Sequence, residues 1–285
     1  MQTFFGDSKP VNTVAHGAAT FDLPILYYRD DAFALYFTAD YEKVKAAMPS
    51  DKLHPVILPG SKAIVAICAF NYIDTSIGSY GEVAVALPAV FDKEMNSFSG
   101  LLAAIRESGY PGFGVVVMHL PVTRVEARDA GRGEWGYTKF IADMHFSISP
   151  EYLECRMLEG DAHILDLRVK RKGFYLRDKK PLTTFSVKNG DLIKTVIPQT
   201  ATKRISLMPG GSRLELGDHP VAESIRSLEI SSRPFMSVYF PERAGILPSG
   251  TVIENRVRPL DGHLGEDRKA VHSVEYPGSG SESTP

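Results

Sequence analysis

A chain of 285 residues, 44% hydrophobic and 23% charged, carries enough apolar material for one large core or two modest ones and reads as a soluble globular protein. Its net charge of −2 leaves no basic surplus for nucleic acid, and the most basic run, Arg168–Lys172 (RVKRK), alternates as a solvated strand face does. No apolar stretch approaches the roughly eighteen residues of a membrane span, and no basic region followed by an apolar run opens the chain, so a cytoplasmic protein without a membrane partner is expected.

Residues 1–20 mix polar residues, Gly and Pro without periodicity and predict an irregular arm. Pro24–Thr38 is rich in Tyr, Phe, Leu and Ile and predicts strands; Asp40–Met48 predicts a short helix capped by Asp40 and stopped by Pro49. Ala63–Ile73 (AIVAICAFNYI) is a continuous apolar run suited to a strand with little solvent on either face, and Val83–Leu87 is a second one. The turn between them delivers Glu82 to the second strand. A carboxylate among Val and Ala must be hydrogen-bonded, paired with a cation or protonated.

Met95, Phe98, Leu101, Leu102 and Ile105 fall at helical spacings and predict a helix over Phe91–Ser108, followed by a strand over Phe113–Val122. The GFGVVV of that strand lacks the third glycine of a dinucleotide fingerprint, so no nicotinamide or flavin cofactor is expected. Further strands fall near Ile141–Ile148, His163–Arg171, Thr183–Val187 and Leu192–Pro198, with Asn189-Gly190 as a hairpin turn. Pro220–Leu228 predicts an amphipathic helix, and Phe235–Phe240 a strand on which Tyr239 is a buried aromatic or a pocket hydroxyl. From Pro259 onward the composition is that of a disordered tail.

Between the Phe113–Val122 strand and the next lies Gly131–Phe140, GRGEWGYTKF, where Lys139 sits among small, aromatic and apolar residues. Only the neutral amine attacks a carbonyl, and a free lysine, with a pKa of about 10.4, is almost wholly cationic at pH 7. Burial or a neighbouring cation lowers that pKa, and such a lysine forms a Schiff base whose iminium draws electrons from the adjacent carbon. The alternative is a lysine that lays its methylenes on an apolar face and keeps its charge in water. Cys68 and Cys155 read as buried reduced thiols, and the eight histidines show no metal-ligand spacing, so no metal is expected.

Gly131-Arg132, then Tyr137, a spacer and Lys139, resembles the Schiff-base segment of acetoacetate decarboxylases. Tyr80-Gly81-Glu82 with Ala86 and Pro88, preceded by Asp74-Thr75-Ser76, is similar to the family's segment bearing the active-site glutamate. Gly210, Arg213-Leu214, Leu216, Asp218 and His219 match its GxxRLxLxDH stretch, and Ser231-Ser232, Pro241 and Ala244 its C-terminal strand and turn. The resemblance, from about Pro24 to Gly250, implies an α+β fold with a mainly antiparallel, barrel-like core and a few short helices, a domain at 21–258, no cofactor and a homo-oligomer.

It further implies Lys139 as nucleophile, Glu82 as its acid/base partner and Arg29, one residue out of register with the family arginine, at the substrate carboxylate; Trp135, Tyr137 and Phe140 are expected to keep the pocket dry. Phe140 stands where the decarboxylases carry a second lysine, and a second acidic position falls at Ile67 or Cys68. The expected activity is decarboxylation of a short β-keto acid through an iminium at Lys139. The alternatives are an aldolase–dehydratase acting on pyruvate or a related keto acid, and a non-catalytic small-ligand-binding protein of the same fold.

Overall fold

The structure is a computed structural model that describes residues 2–6, 8–94, 96, 99 and 110–277; of the helix expected over 91–108, Met95, Phe98, Leu101, Leu102 and Ile105 lie outside the described residues, while Phe91 ends a strand. The fold is α+β and rich in antiparallel strands. After a short α1 (Gln2–Phe5), the strands β1 (Asn12–His16) and β2 (Ala19–Leu23) form a hairpin where an irregular arm was expected. Its anchor is the alternation of Ala19, Phe21 and Leu23, all buried, with exposed Thr20 and Asp22, a period-2 signal too short to register against the surrounding polar residues.

The large sheet is built on β3 (Ile25–Asp40), β5 (Lys62–Thr75) and β6 (Tyr80–Phe91), paired antiparallel in that order. Beyond β3 lie β16 (Met236–Leu247), β14 (Gln199–Leu207) and β11 (Phe174–Asp178). Beyond β6 lie β7 (Phe113–His119), β12 (Leu182–Lys188), β13 (Asp191–Ile197) and β17 (Thr251–Asn255), with β4 (Leu53–Pro55) also paired to β6. The β12–β13 turn is the expected one, with Asn189 and Gly190 both at positive φ, as a tight hairpin demands. Between β3 and β4, α2 (Tyr41–Ala46) is capped as expected by Asp40, which accepts a hydrogen bond from the Lys43 amide at 3.0 Å.

The apolar runs of β5 and β6 are continuous because both faces are buried. Ala63, Val65, Ile67 and Ala69 of β5 and Val83, Val85, Leu87 and Ala89 of β6 pack into the main core. That core is closed by a second sheet in the order β15 (Arg213–Leu216), β10 (Ala162–Lys170), β9 (Tyr152–Glu159), β8 (Asp143–Ile148), β18 (His272–Glu275). Strand β18 runs parallel to β8 inside the region expected to be a disordered tail; Asp143 holds it there, accepting from the Val271 amide and from Arg268. The alternate residues of β5 and β6 face the other way, into a cavity that the large sheet curls around.

Among the described residues, no helix is long and apolar enough to cross a membrane. Cys68 and Cys155 form no disulfide; Cys155 is buried, while Cys68 is half-buried on the cavity side.

Candidate active site

The chain reaches the cavity through α3 (Val125–Ala130), which runs on into a π turn (Gly131–Trp135), and then an extended stretch. Two glycines make this path possible. Gly136 ends the turn at φ +68°, where a Cβ would lie 2.4 Å from the Val187 carbonyl oxygen; a Cβ on Gly131 would lie 2.3 Å from Cε of Lys139. The lysine side chain therefore lies along bare backbone. Arg132 fixes its carbonyl from outside, with Nε donating to Lys139 O at 2.6 Å.

Nζ of Lys139 donates to Glu82 Oε2 at 2.6 Å, and the two residues are only 5% and 6% exposed. The pair sits on the cavity wall. Its other carboxylate oxygen, Oε1, accepts from the Tyr72 hydroxyl at 3.1 Å, and the Tyr27 and Tyr80 hydroxyls lie 3.0 Å apart beside it. Burial, followed for Tyr27 and Tyr72 by the charge of Glu82, raises these phenols well above the usual range, so they stay protonated. Replacing a buried ion pair by apolar residues is often neutral or stabilising, so stability alone does not explain why this one is there. A cavity beside it does.

Tyr137 also lines the cavity; its hydroxyl lies 2.8 Å from that of Thr184, and burial pushes its pKa up to about 12. The other three expected residues lie elsewhere. Arg29 is exposed, because β3 bulges on both sides of it; the irregularity shifts the face parity of the strand, so Tyr27 and Tyr36 look into the cavity and Arg29 looks out. Trp135 stacks on Tyr137 and Phe21, with Nε1 donating to the Pro248 carbonyl at 2.8 Å, behind the cavity wall and not in it. Phe140 follows Lys139 in an extended stretch, so it points to the opposite side and is fully buried in the main core.

Two cations stand in the cavity instead. Arg243 of β16 is ion-paired with buried Asp30 at 2.8 Å; burial works against its charge, but the Asp30 carboxylate and the hydrogen bond to Tyr72 more than offset it. Lys203 of β14 is paired with Asp178 at 2.7 Å. The signal for Lys203 was alternation: Gln199, Ala201 and Ile205 are inward positions of the same strand, and Lys203 shares their parity. Arg243 follows an exposed Pro241-Glu242 interruption, and nothing local marks it as inward. Among the described residues lining the cavity, Glu82 is the only carboxylate; of Ile67 and Cys68, at one of which the family's second acidic position was expected to fall, Cys68 lines the cavity and Ile67 packs into the main core.

Behind the lysine segment, Glu159 accepts from His219 Nε2 at 2.8 Å and His263 Nε2 at 2.6 Å, and Phe140 stacks on His219. These three have ligand atoms within 4.8 Å of one another, as a metal site would. The hydrogen bonds decide otherwise: Nδ1 of His219 accepts from the Val221 amide at 3.1 Å, capping α4 (Pro220–Ser227), so the ring's proton is on Nε2 and points at Glu159. The cluster is a hydrogen-bonded latch, closing residues 262–265 over the lysine segment.

The family model for acetoacetate decarboxylase matches residues 8–256 of the chain. A solved acetoacetate decarboxylase from Legionella pneumophila is similar at 19% identity, with a TM-score of 0.60 over 89% of this chain and 95% of that one. An acetoacetate decarboxylase-like enzyme from Sphingomonas wittichii aligns at 13% identity, with a TM-score of 0.56 over 82% and 94%. The enduracididine biosynthesis enzyme MppR, solved with pyruvate, aligns at 10% identity, with a TM-score of 0.59 over 81% and 91%. No curated protein sequence matches the chain.

Proposed function

The chain belongs to the acetoacetate decarboxylase family, and on that premise we propose that it is a Schiff-base lyase that decarboxylates a β-keto acid through an iminium at Lys139. The observation that carries this is the 2.6 Å contact between Nζ of Lys139 and Glu82 on the wall of a mostly apolar cavity. Each step has a group in reach. Lys139 passes a proton to Glu82, and the neutral amine adds to the ketone carbonyl. Glu82 returns the proton to the carbinolamine oxygen, which leaves as water and yields the iminium. The bond to the carboxylate carbon then breaks, carbon dioxide leaves, and its electron pair flows into the iminium to give an enamine. Protonation of the enamine carbon and hydrolysis of the iminium release the ketone and restore the amine. Arg243, held by Asp30, is the cation that orients the substrate carboxylate in this scheme, the role the sequence suggested for Arg29.

The same iminium supports aldol addition and dehydration of pyruvate or a related keto acid. That reading is favoured by the absence of a second carboxylate among the described lining residues and by a pyruvate complex in one neighbour. Borohydride reduction with acetoacetate and with pyruvate, followed by peptide mass mapping, tests both. An adduct on Lys139 is expected; carbon dioxide release with acetoacetate selects decarboxylation, and trapping by pyruvate alone selects the aldolase. Folded protein that gives no adduct with either acid counts against the reading and points to a ligand-binding role.

A further inference from the structure

The cavity extends past the space that the reacting end of a keto acid needs. Its polar groups gather at one end: Lys139, Glu82, Tyr72 and Arg243, with Lys203 beside Phe240. The register places Glu82 on one rung with Phe70, Ala32 and Phe240, and Tyr72 and Arg243 lie beyond that rung on β5 and β16, on the side away from Ala84 and Ala86. From that rung the cavity follows the strands. On β6 the successive inward positions are Glu82, Ala84, Ala86 and Pro88, about 20 Å of strand at roughly 3.3 Å per residue.

Along this run the lining is both small and apolar. Cys68 pairs with Ala84, and Ala66 with Ala86; small side chains on neighbouring strands leave a trough, which Tyr36 and Phe113 flank at the far end. The Tyr137 and Thr184 hydroxyls that border it are turned towards each other. The free volume is about 160 Å³, enough for about ten water-sized groups. An apolar trough of this length next to a charged head site is suited to an apolar chain.

Resting on the Schiff-base reading above, we propose that the substrate is a keto acid carrying an unbranched apolar tail of several carbons, seated in the Ala66–Ala84–Ala86 trough with its carbonyl at Lys139. Each methylene buried there raises affinity about fourfold.

Two probes separate this proposal from the reaction it rests on. Calorimetry with heptanoate and propionate needs no iminium: heptanoate is expected to bind at least tenfold more tightly, and Ala86→Phe, which fills the trough, to bring that ratio towards one. Borohydride trapping with 2-heptanone and acetone reads the same preference at Lys139, with half-maximal trapping expected at a tenfold or more lower concentration of the longer ketone. Equal binding of the two acids by the wild-type protein overturns the trough assignment, even if both ketones trap on Lys139. A chain-length preference in calorimetry that survives unchanged in folded Ala86→Phe overturns it too. Tight, Ala86-dependent heptanoate binding without any trapping upholds the trough and removes the Schiff base.

Discussion

Two carboxylates flank the lysine segment on opposite faces. Glu82 accepts from Lys139 and Tyr72 at the edge of an open cavity; Glu159 accepts from His219 and His263 at a half-buried place outside that cavity. Both are doubly hydrogen-bonded, yet they differ in what their partners are free to do. Lys139 can exchange its carboxylate for a carbonyl carbon, because space adjoins Nζ. His219 cannot turn, since its second nitrogen is committed to the Val221 amide and its ring to Phe140. A polar cluster next to a cavity is poised for chemistry, and the same kind of cluster without one is structural. Consecutive residues, Lys139 and Phe140, serve the two.

The largest way to break the contrast is Lys139→Met. Turnover should fall to background, and the buried Glu82 charge left unpaired should cost about 3–5 kcal/mol in urea unfolding, recovered largely by adding Glu82→Gln. Glu82→Gln alone keeps the fold but removes the proton acceptor, so kcat should fall by about 10²–10⁴ while the lysine remains in place.

The Glu159 side should respond in stability and leave kcat nearly unchanged. His119, which faces His219 and His263, has Nδ1 buried without a partner, and burial, with those imidazoles, lowers its pKa from 6.5 to about 4. As pH falls below about 6.5 the unfolded chain takes up this proton and the folded one does not. Its stabilising contribution is therefore complete above that value and lost on the way down to about 4, with about 2 kcal/mol gone by pH 5. Urea midpoints of His119→Asn should lack that part of the slope. Burial alone would raise the Glu159 carboxyl, but the hydrogen bonds from His219 and His263 hold it below the usual range, so its contribution is present above about pH 4.5 and fades in acid. Glu159→Gln should cost about 1.5 kcal/mol at pH 7 and less than threefold in kcat. The smallest effect belongs to the exposed Lys43–Glu229 pair, where Glu229→Gln should change stability by less than about 0.5 kcal/mol.

How much of this was legible in the sequence follows from how far each contact reaches. Lys139 and Glu82 were readable because each is a charge embedded in a local apolar pattern, and the fold places them together. Arg29 failed because a bulge, invisible to composition, reverses the parity of β3. Trp135 and Phe140 failed because aromatic residues around a lysine announce burial without saying on which side. Arg243 and its partner Asp30 are 213 residues apart, and no local pattern links them. Strand β18 was hidden for the same reason: it is held by Asp143 and a parallel neighbour, not by its own hydrophobicity.

An iminium at Lys139 must exchange the carbonyl oxygen of its ketone with water. Oxygen-18 loss from labelled 2-heptanone, followed by mass spectrometry, measures that step without needing the true substrate. Exchange well above background is expected with the wild-type protein and background exchange with folded Lys139→Arg; exchange by Lys139→Arg at the wild-type rate would rule out the iminium at Lys139.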